Sequence, residues 1–567
     1  MREEQVDFLV AGSGAGGMVA AIRAHDLGLK TLVVEKAALY GGSSAYSGGV
    51  VWVPNNEWMQ KSGMADSEED ALRYLEAITA GSSSTDRLRT YVQQAPRMLR
   101  YLQENSDIQY EMIPDYPDYF PELPGGKTGG RSCEPKIFPA RLLGGEFARL
   151  RMFPRSLHVL GFLHTKASDG HPLMEGGLRG YALLLRRLAA YLFDIHARLR
   201  GGRDQSLTLG YALAASARYS LQKRKVPLWL ESPIEELLVE SGRVTGAIVQ
   251  RQEDGKSERV RIVASKGVLL ATGGFDHNAV LRNQHQPWAN GGAWAAGAES
   301  NTGDAVTLVE KVRARLALMH EAWWCPVFRI PQESDFRRLV IFEKNLPGSI
   351  LVNSRGERFM NEAAPYNDAG RQMFRCNREG AATLPAWLVV DSRFRHNYAL
   401  GRYMPGYAVP DAVLPEVAWQ FLHRDDTLAG LAAKIGVEAA GLARTVERFN
   451  QMAAEGKDGD FGRGDSAQDR YYTARTKGFR NPCLGPIAKP PFYAVPVWPG
   501  DLGTKGGMVT DSAGRVINEQ GVVVAGLYAT GNCSAAVMGD TYPGAGGTLG
   551  PSMTFGFLAA EDAAIRE

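Results

Sequence analysis

The order of apolar and polar positions at the start of the chain predicts a strand, a turn, a helix and a second strand. Residues 6–10 are an apolar run, residues 18–28 are rich in alanine, and Thr31–Glu35 is apolar again. Short apolar runs bounded by glycine turns are typical of buried strands. A glycine-rich stretch, residues 11–17, joins the first strand to the helix. This pattern predicts a βαβ unit in a parallel sheet.

The glycine turn fits a G-x-G-x-x-G motif at Gly12, Gly14 and Gly17. Between a strand and a helix, such glycines allow a tight turn, a close approach of the backbone to a pyrophosphate, and packing of the helix on the strand. Glu35 closes the second strand, where a carboxylate can accept hydrogen bonds from ribose hydroxyls and would repel a 2′-phosphate. Taken alone, the motif fits a glycine turn between two core strands, with a surface Glu, equally well.

Later segments repeat the alternation of apolar runs and glycine turns. The runs at 244–250, 259–270, 522–525 and 527–529 predict further strands, and the glycine-rich stretches are 41–49, 271–275, 530–532 and 544–550. A helix of small residues follows the last stretch. A nucleotide domain that is completed by the far end of the chain, with a large segment inserted, is the layout of a two-domain flavoprotein.

Composition narrows the class of protein. The chain has 567 residues, with 64 basic and 62 acidic side chains, so its net charge of +2 gives no general attraction to nucleic acid. Five scattered cysteines without a CxxC pair predict a reducing compartment, no disulfide framework and no metal site. The chain enters a strand at once, so we expect no secretory signal. No apolar window is long enough to span a membrane. We therefore expect a cytoplasmic enzyme.

Several motifs together resemble the flavoprotein superfamily of fumarate reductase and succinate dehydrogenase. They are the N-terminal turn, the Gly-Ser-Ser-Ala-Tyr-Ser-Gly-Gly run, Ala271-Thr272-Gly273-Gly274, Asn301-Thr302-Gly303-Asp304, Val352-Asn353 with Arg358–Glu362, and Gly506-Gly507. Within it, Asp118-Tyr119, Pro365-Tyr366, Pro499–Thr504 and Tyr542–Gly546 resemble the 3-ketosteroid Δ1-dehydrogenases. The resemblance covers nearly the whole chain.

The resemblance implies an α/β and α+β fold, with a Rossmann-like FAD-binding domain and an inserted catalytic domain. We expect the FAD-binding domain at 1–280 and 484–567, the catalytic domain at about 281–483, and the active site between them. It also implies that FAD is held by glycine turns and nearby polar residues. These are Gly12, Gly14, Ala15, Gly16, Gly17, Glu35, Lys36, Gly42, Ser43, Ser44, Ser47, Gly48, Ala271, Thr272, Gly273, Gly274, Asp304, Gly531, Asn532, Gly547, Thr548 and Leu549.

Some relatives attach FAD through a His just after the second strand, but Gly41–Ser44 contains none. We therefore expect non-covalent FAD. The implied partners are a 3-ketosteroid substrate and an external electron acceptor, a quinone or a similar molecule.

Dehydrogenation of two adjacent carbons beside a ketone needs a hydride acceptor, a base, and donors that stabilise an enolate oxygen. Flavin is the hydride acceptor. The resemblance implies that Tyr542 and the Gly546 N–H bind the ketone oxygen at C3 and that Tyr366 takes the C2 proton. Tyr119 would hydrogen-bond to Tyr366 and favour its phenolate. The other interpretation of residues 542–546 is a strand-to-helix turn whose glycines touch only flavin.

Three other functions compete with this hypothesis. A fumarate-reductase-like enzyme would need arginines and a His for two carboxylates, yet residues 531–557 contain neither. A 3-keto-5α-steroid Δ4-dehydrogenase shares much of the fold and chemistry, and sequence spacing separates the two poorly. A non-catalytic flavin-binding or membrane scaffold protein is the third, and the set of three tyrosines argues against it.

Residues 136–203 depart from the compact members of the family. Apolar residues such as Phe147, Met152 and Phe162 alternate there with arginines such as Arg151 and Arg187. This mixture suits a helical hairpin on the inner face of the cell membrane or at a lipid entrance. It also suits an ordinary covering of the flavin domain with solvated arginines.

Overall fold

A computed structural model describes residues 1–153, 163–169, 177–194, 204–253, 255–331, 333, 337–473 and 478–566. Two larger sheets organise these residues, and helices cover both. The helices are Ala15–Asp26, Gly42–Tyr46, Glu57–Ser62, Glu68–Thr79, Thr85–Asn105, Gly177–Phe193, Leu209–Lys223, Ala279–His285, Asp304–Leu308, Tyr366–Arg378, Ser392–Asn397, Leu428–Ile435, Ala439–Glu455, Ala467–Tyr471 and Leu549–Ile565.

The first sheet contains the predicted βαβ unit. Its strand order is Arg515–Ile517, Val523–Ala529, Lys256–Leu270, Arg2–Ala11, Thr31–Val34 and Leu228–Trp229. Arg243–Glu253 also pairs with Lys256–Leu270, and Ile234–Glu240 pairs with Arg243–Glu253. Arg2–Ala11 pairs in parallel with both Lys256–Leu270 and Thr31–Val34. The predicted α/β and α+β fold with a Rossmann-like domain is confirmed.

The first strand is longer than its apolar run. The run predicts residues 6–10, but the strand begins at Arg2 because Arg2 to Gln5 pair with Val260 to Val263. The following helix begins at Ala15 instead of residue 18, directly after Gly14. Main-chain pairing therefore decides where the first strand begins, and the glycine turn decides where the first helix begins. Neither boundary can be read from the polarity of the side chains.

Two helices pack closely behind this sheet. Ala15–Asp26 buries Met18, Val19 and Ile22, and the C-terminal helix Leu549–Ile565 lies against it. A Cβ at Gly556 would stand 2.4 Å from the main-chain oxygen of Gly16. Glycine at this contact allows the end of the chain to complete the nucleotide-binding fold.

The second larger sheet is antiparallel. Its order is Arg338–Leu339, Ala322–Phe328, Phe492–Thr504, Ala386–Asp391 and Ser349–Val352, and His423–Asp425 also pairs with Phe492–Thr504. The predicted boundary at 484 puts Phe492–Thr504 in the FAD-binding domain, although the strand belongs to this second sheet. The domain division stays a prediction, and this pairing favours a boundary after Thr504.

Smaller sheets complete the described fold. They join Val51–Trp52 and Tyr110–Met112 to Ser132–Pro135, Phe138–Pro139 to Ser206–Leu207, and Leu316–Ala317 to Gly507–Met508. The first of these carries Trp52, whose Nε1 donates to Asp118 Oδ1 at 2.7 Å. Both residues lie beside the C-terminal glycine turn, since a Cβ at Gly544 would stand 2.8 Å from Trp52 and 3.6 Å from Asp118.

The 136–203 segment is described only in part. Residues 154–162, 170–176 and 195–203 lie outside the described residues, and so do many of the apolar and basic positions in the predicted hairpin. The helix Gly177–Phe193 is present. Arg187 is buried and pairs with Asp169 at 2.7 Å, so this arginine is not solvated. In the described part of the chain, no helix is both long and apolar enough to cross a membrane.

Candidate active site

A cavity of about 340 Å³ is lined by both larger sheets and their loops. Of the residues predicted to hold the cofactor, all but Gly274 and Gly547 line it. A Cβ at Gly274 would meet Thr504 Oγ1 at 2.2 Å, and one at Gly547 would meet Pro543 at 2.7 Å. Glycine at these two positions therefore allows close packing behind the wall, and their contact with the cofactor stays a prediction.

The glycine turn leaves open space where a pyrophosphate would lie. A Cβ at Gly14 has Ser44 Oγ at 3.5 Å as its nearest neighbour, and one at Gly42 has only Gly14 Cα, at 3.9 Å. Gly14 precedes the helix Ala15–Asp26 and offers no side-chain cap, so the positive end of the helix faces this space. The two glycines thus form a cradle that fits an anionic group.

Glu35 is fixed at the end of its strand by three hydrogen bonds. Its Oε2 accepts from Ser13 N at 3.0 Å and Ser13 Oγ at 2.6 Å, and its Oε1 accepts from Ala37 N at 2.9 Å. A carboxylate offers about four acceptor positions, so one remains for a ribose hydroxyl. Lys36 and Asp304, both predicted cofactor contacts, pair with each other at 2.8 Å on the cavity wall.

Tyr119, Tyr366 and Tyr542 converge on the cavity from three distant segments. Their ring centroids are 5.7 Å apart for Tyr119 and Tyr366, 5.3 Å for Tyr119 and Tyr542, and 5.5 Å for Tyr366 and Tyr542. Tyr119 and Tyr542 are buried, while Tyr366, the first residue of its helix, is partly exposed on the cavity wall. The predicted set of tyrosines is brought together.

The turn that carries Tyr542 is fixed by the segment that carries Tyr119. The Pro543 carbonyl accepts from Tyr119 N at 3.0 Å and from Tyr74 Oη at 2.6 Å. Gly546 has φ +96°, and a Cβ there would lie 2.4 Å from the backbone of Val51. Only glycine fits, and Gly546 lines the cavity together with Tyr542.

Comparison with known proteins decides the family. A family model described as an FAD binding domain matches residues 7–549. The 3-oxosteroid 1-dehydrogenase of Mycobacterium tuberculosis (strain ATCC 25618 / H37Rv) is 41% identical over 571 residues, which cover 99% of this chain and 98% of that protein. The chain belongs to the 3-oxosteroid 1-dehydrogenase family of FAD-binding flavoproteins. The resemblance identified from the motifs is confirmed, and FAD is the cofactor.

Two further relatives, one solved structure and one sequence, are similar to this flavoprotein over more than nine tenths of their length. A crystal structure of 3-ketosteroid Δ1-dehydrogenase from Sterolibacterium denitrificans, in complex with 1,4-androstadiene-3,17-dione, superposes with a TM-score of 0.93, at 47% identity and 99% coverage of both chains. The 4-oxocyclohexanecarboxylate 2-dehydrogenase of Sinomonas cyclohexanicum is 34% identical, over 98% of this chain and 92% of that protein. Both names describe the dehydrogenation of a cyclic ketone.

The surroundings of the flavoprotein's tyrosines control their acidity. Burial raises the pKa of Tyr366 well above its ordinary value, and the hydrogen bond with Tyr119 acts in the opposite direction. Burial likewise raises the pKa of Tyr542, and the hydrogen bond between Thr548 Oγ1 and Tyr542 Oη, at 3.1 Å, lowers it.

The Asp118 carboxylate behind Tyr119 belongs to a buried ion cluster. Burial raises the pKa of Asp118 to about 6, opposed by Arg131, whose Nη1 lies 2.7 Å from Asp118 Oδ2. Arg131 also pairs with Asp66 at 2.6 Å. Asp118 does not line the cavity, so it orders the Tyr119 loop from behind.

Sequence reasoning missed most of the apolar wall around the tyrosines. Among the described residues, the apolar side chains that line the cavity around the tyrosines are those of Tyr116, Trp323, Leu339, Ile341, Phe342, Tyr471, Tyr472 and Leu502. Only Leu502 lies in a quoted motif, while the others come from loops, strands and one helix end without a local signal. The charged residues among the described lining are Glu35, Lys36 and Asp304, all at the nucleotide end.

Proposed function

We propose that this flavoprotein is a 3-ketosteroid Δ1-dehydrogenase, which introduces a C1–C2 double bond into the A ring. The observation that carries the proposal is the meeting of three tyrosines and Gly546 at an apolar end of the FAD cavity. No charged side chain among the described residues lines that end, so it suits a large neutral ketone.

Each residue has a role that its position permits. The Tyr542 phenol and the Gly546 N–H would donate hydrogen bonds to the C3 oxygen, and no described group accepts a hydrogen bond from that N–H. Tyr366 would remove the C2 proton as negative charge moves to the C3 oxygen. Tyr119 would hydrogen-bond to Tyr366 and stabilise its phenolate. Bound FAD supplies the acceptor for the hydride from C1.

The competing substrates differ in charge and in the position of the new bond. A 4-oxocyclohexanecarboxylate or a fumarate carries carboxylates, which require cationic partners that the described tyrosine end lacks. A Δ4-dehydrogenase would need its base beside C4 instead of C2. The relatives at 41% and 47% identity are both named as Δ1-dehydrogenases, which supports Δ1 over Δ4 chemistry.

The test is anaerobic reduction of the protein-bound flavin by a panel of ketones. We expect fast bleaching by 3-ketosteroids, with a C1–C2 double bond in the product seen by NMR, and slow bleaching by 4-oxocyclohexanecarboxylate. A product with its new double bond at C4–C5, or faster reduction by the carboxylated ketone, would contradict the proposal. The C17 substituent is varied in the same panel.

We further propose a quinone as the acceptor that reoxidises the reduced flavin. Two electrons leave each steroid, so a two-electron carrier completes the cycle. Stopped-flow mixing of reduced protein with a soluble quinone should restore the flavin absorbance much faster than mixing with NAD⁺. The reverse order would contradict the choice of acceptor.

We also propose that FAD is bound non-covalently. No His or Cys side chain lines the described cavity wall, which removes the usual nucleophiles for attachment. Acid precipitation should therefore release all flavin into the supernatant. Yellow colour that stays in the protein pellet would contradict this.

Finally, we propose a peripheral contact of the 136–203 segment with the inner face of the cell membrane. The helix Gly177–Phe193 exposes Leu185 (65%) and Phe193 (85%), and Arg186 lies beside them. Wild-type protein should float with anionic vesicles in low salt, and Leu185→Gln with Phe193→Gln should weaken flotation. Val280→Gln, on another exposed apolar side chain, should not. Wild-type protein that never floats would overturn the proposal.

A further inference from the structure

Two buried lysines lie behind the tyrosine end of the cavity without lining it. The side chains of Lys344 and Lys505 belong to residues that are 1% and 0% exposed. Burial lowers the pKa of Lys344 to about 8 and that of Lys505 to about 7. Because a buried ammonium is costly unless its donors are satisfied, its partners show what it holds in place.

Lys344 binds the main chain immediately before Tyr366. Its Nζ donates to the carbonyl oxygens of Glu362 at 2.8 Å and Ala364 at 2.6 Å, and to Asn345 Oδ1 at 2.9 Å. Pro365 follows and is the cap residue of the helix that Tyr366 begins. The position of the Tyr366 ring therefore depends on a turn that Lys344 fixes.

Lys505 binds the main chain immediately before Tyr542 in the same way. Its Nζ donates to the carbonyl oxygens of Asp540 at 2.7 Å and Thr541 at 2.8 Å. It also lies 4.3 Å from the centre of the Trp323 ring, which packs edge to face on Tyr542 at 4.8 Å. Lys505 thus supports Tyr542 both through the main chain and through Trp323.

The charge of Lys505 is balanced by a network outside the cavity. Arg371 pairs with Glu321 at 2.7 Å and with Asp540 at 2.9 Å. The carboxylates of Glu321, Asp540 and Asp368 favour the charged form of Lys505, and Arg371 opposes it. Three acidic groups thus offset the two cations, which keeps the lysine in place without an ion pair of its own.

We infer that Lys344 and Lys505 are positioning residues, Lys344 for the Tyr366 base and Lys505 for the Tyr542 oxyanion donor. The inference rests on the proposed function, which gives those tyrosines their roles. A displacement of about 1 Å of a group that acts in the transition state can cost on the order of 100-fold in rate. Neither lysine touches the substrate space, so neither should be needed to bind the rings.

The test compares Lys344→Met and Lys505→Met, each serving as the matched control of the other. The first readout is a ratio of two dissociation constants of the holoprotein. It is the Kd of a steroid whose A ring lacks the phenolic oxygen, divided by the Kd of the same steroid with that oxygen. The phenolic oxygen imitates the enolate oxygen. Lys505→Met should lower this ratio of Kd values about tenfold, because one of the two oxyanion donors moves. Lys344→Met should keep it within about twofold of wild type.

The second readout is anaerobic flavin reduction by a 3-ketosteroid. Both variants should lose on the order of 100-fold in rate. Lys344→Met should therefore lose rate while it keeps the wild-type preference for the phenolic steroid. Lys344→Gln and Lys505→Gln keep two N–H donors and should recover part of the rate. Lys434→Met is the outside control, since Lys434 donates to the Arg424 carbonyl at 2.6 Å but is 52% exposed, away from the cavity.

The results distinguish the two claims. If wild-type flavin is not reduced by any 3-ketosteroid, the proposed function fails and so does the basis of the inference. If both Met variants reduce their flavin as fast as wild type does, the positioning roles are wrong. They are also wrong if the two variants change the phenol preference equally, since that indicates a general structural effect. The ratio is measured within one preparation, so partial loss of folded protein or flavin does not alter it.

Discussion

The two ends of the cavity are built by different means. The nucleotide end consists of main chain: Gly14 and Gly42 leave an open cradle at a helix N-terminus, and Glu35 is held by neighbouring donors. The tyrosine end consists of side chains from distant segments, held by buried partners such as Lys505. The first end therefore depends on local backbone geometry, and the second depends on the correct assembly of the whole chain.

The most general effect should come from filling the cradle, because the whole reaction needs bound FAD. Gly14 has φ −68° and ψ 171°, which other residues adopt, and a Cβ there meets nothing closer than 3.5 Å. Gly14→Val should therefore fold but lose FAD affinity by more than about 100-fold, or about 2.7 kcal/mol. Fluorescence titration of the apoprotein with FAD measures it. Gly459→Val, at another glycine with open space, is the control. Normal flavin content in Gly14→Val would show that the cradle is not the pyrophosphate site.

The tyrosine end should behave in the opposite way, losing chemistry while keeping flavin. Tyr366→Phe removes only the phenol of the proposed base, so substrate-driven flavin reduction should fall on the order of 10²–10⁴-fold. The flavin spectrum and the affinity for a substrate analogue should stay near wild type. Stopped-flow reduction under anaerobic conditions measures the rate. A variant that reduces its flavin at the wild-type rate would remove Tyr366 from the mechanism.

Tyr542→Phe should have a smaller effect, because the Gly546 N–H remains as a second donor. Loss of one oxyanion donor costs on the order of 10²–10³ in rate. The loss should appear equally in the exchange of the C2 hydrogen with heavy water, since that exchange needs the same enolate. Exchange that continues at the wild-type rate while hydride transfer slows would assign Tyr542 to orientation of C1 instead.

The contrast between the two ends also explains what could be predicted from the sequence. The nucleotide end follows from a motif within one βαβ unit, because Gly12, Gly14 and Gly17 each meet a local geometric need. Even there, the motifs predict cofactor contacts for Gly274 and Gly547, whereas the structure gives each of them a close packing contact. A glycine that permits close packing and one that faces a ligand look alike in a sequence.

The tyrosine end could be predicted only through family resemblance. Tyr119, Tyr366 and Tyr542 are three of 21 tyrosines, and no periodicity marks them. The apolar wall, with Trp323 and Phe342, and the supporting lysines had no local signal, because long-range packing alone brings them to the cavity. Lys344 and Lys505 would be read as solvated surface residues, since lysines are seldom fully buried.

The smallest effect should come from Tyr119→Phe, which leaves both the base and the oxyanion donors in place. Burial raises the pKa of Tyr366, and the hydrogen bond with Tyr119 lowers it. Flavin reduction in wild type should therefore increase with pH, because the reactive phenolate fraction grows until the pKa is reached. Removal of the Tyr119 hydroxyl moves that pKa further up, so the whole profile should shift to higher pH.

At a fixed neutral pH the Tyr119→Phe rate should be about tenfold lower than wild type, which is the size expected for one lost hydrogen bond to a charged group. The deficit should shrink as pH rises, since the same phenolate forms at a higher pH. Tyr493→Phe removes a phenol that donates to Asp411 at 2.6 Å, away from the cavity, and should leave the profile unchanged. A Tyr119→Phe profile that falls equally at every pH would mean that Tyr119 shapes the cavity without tuning the base.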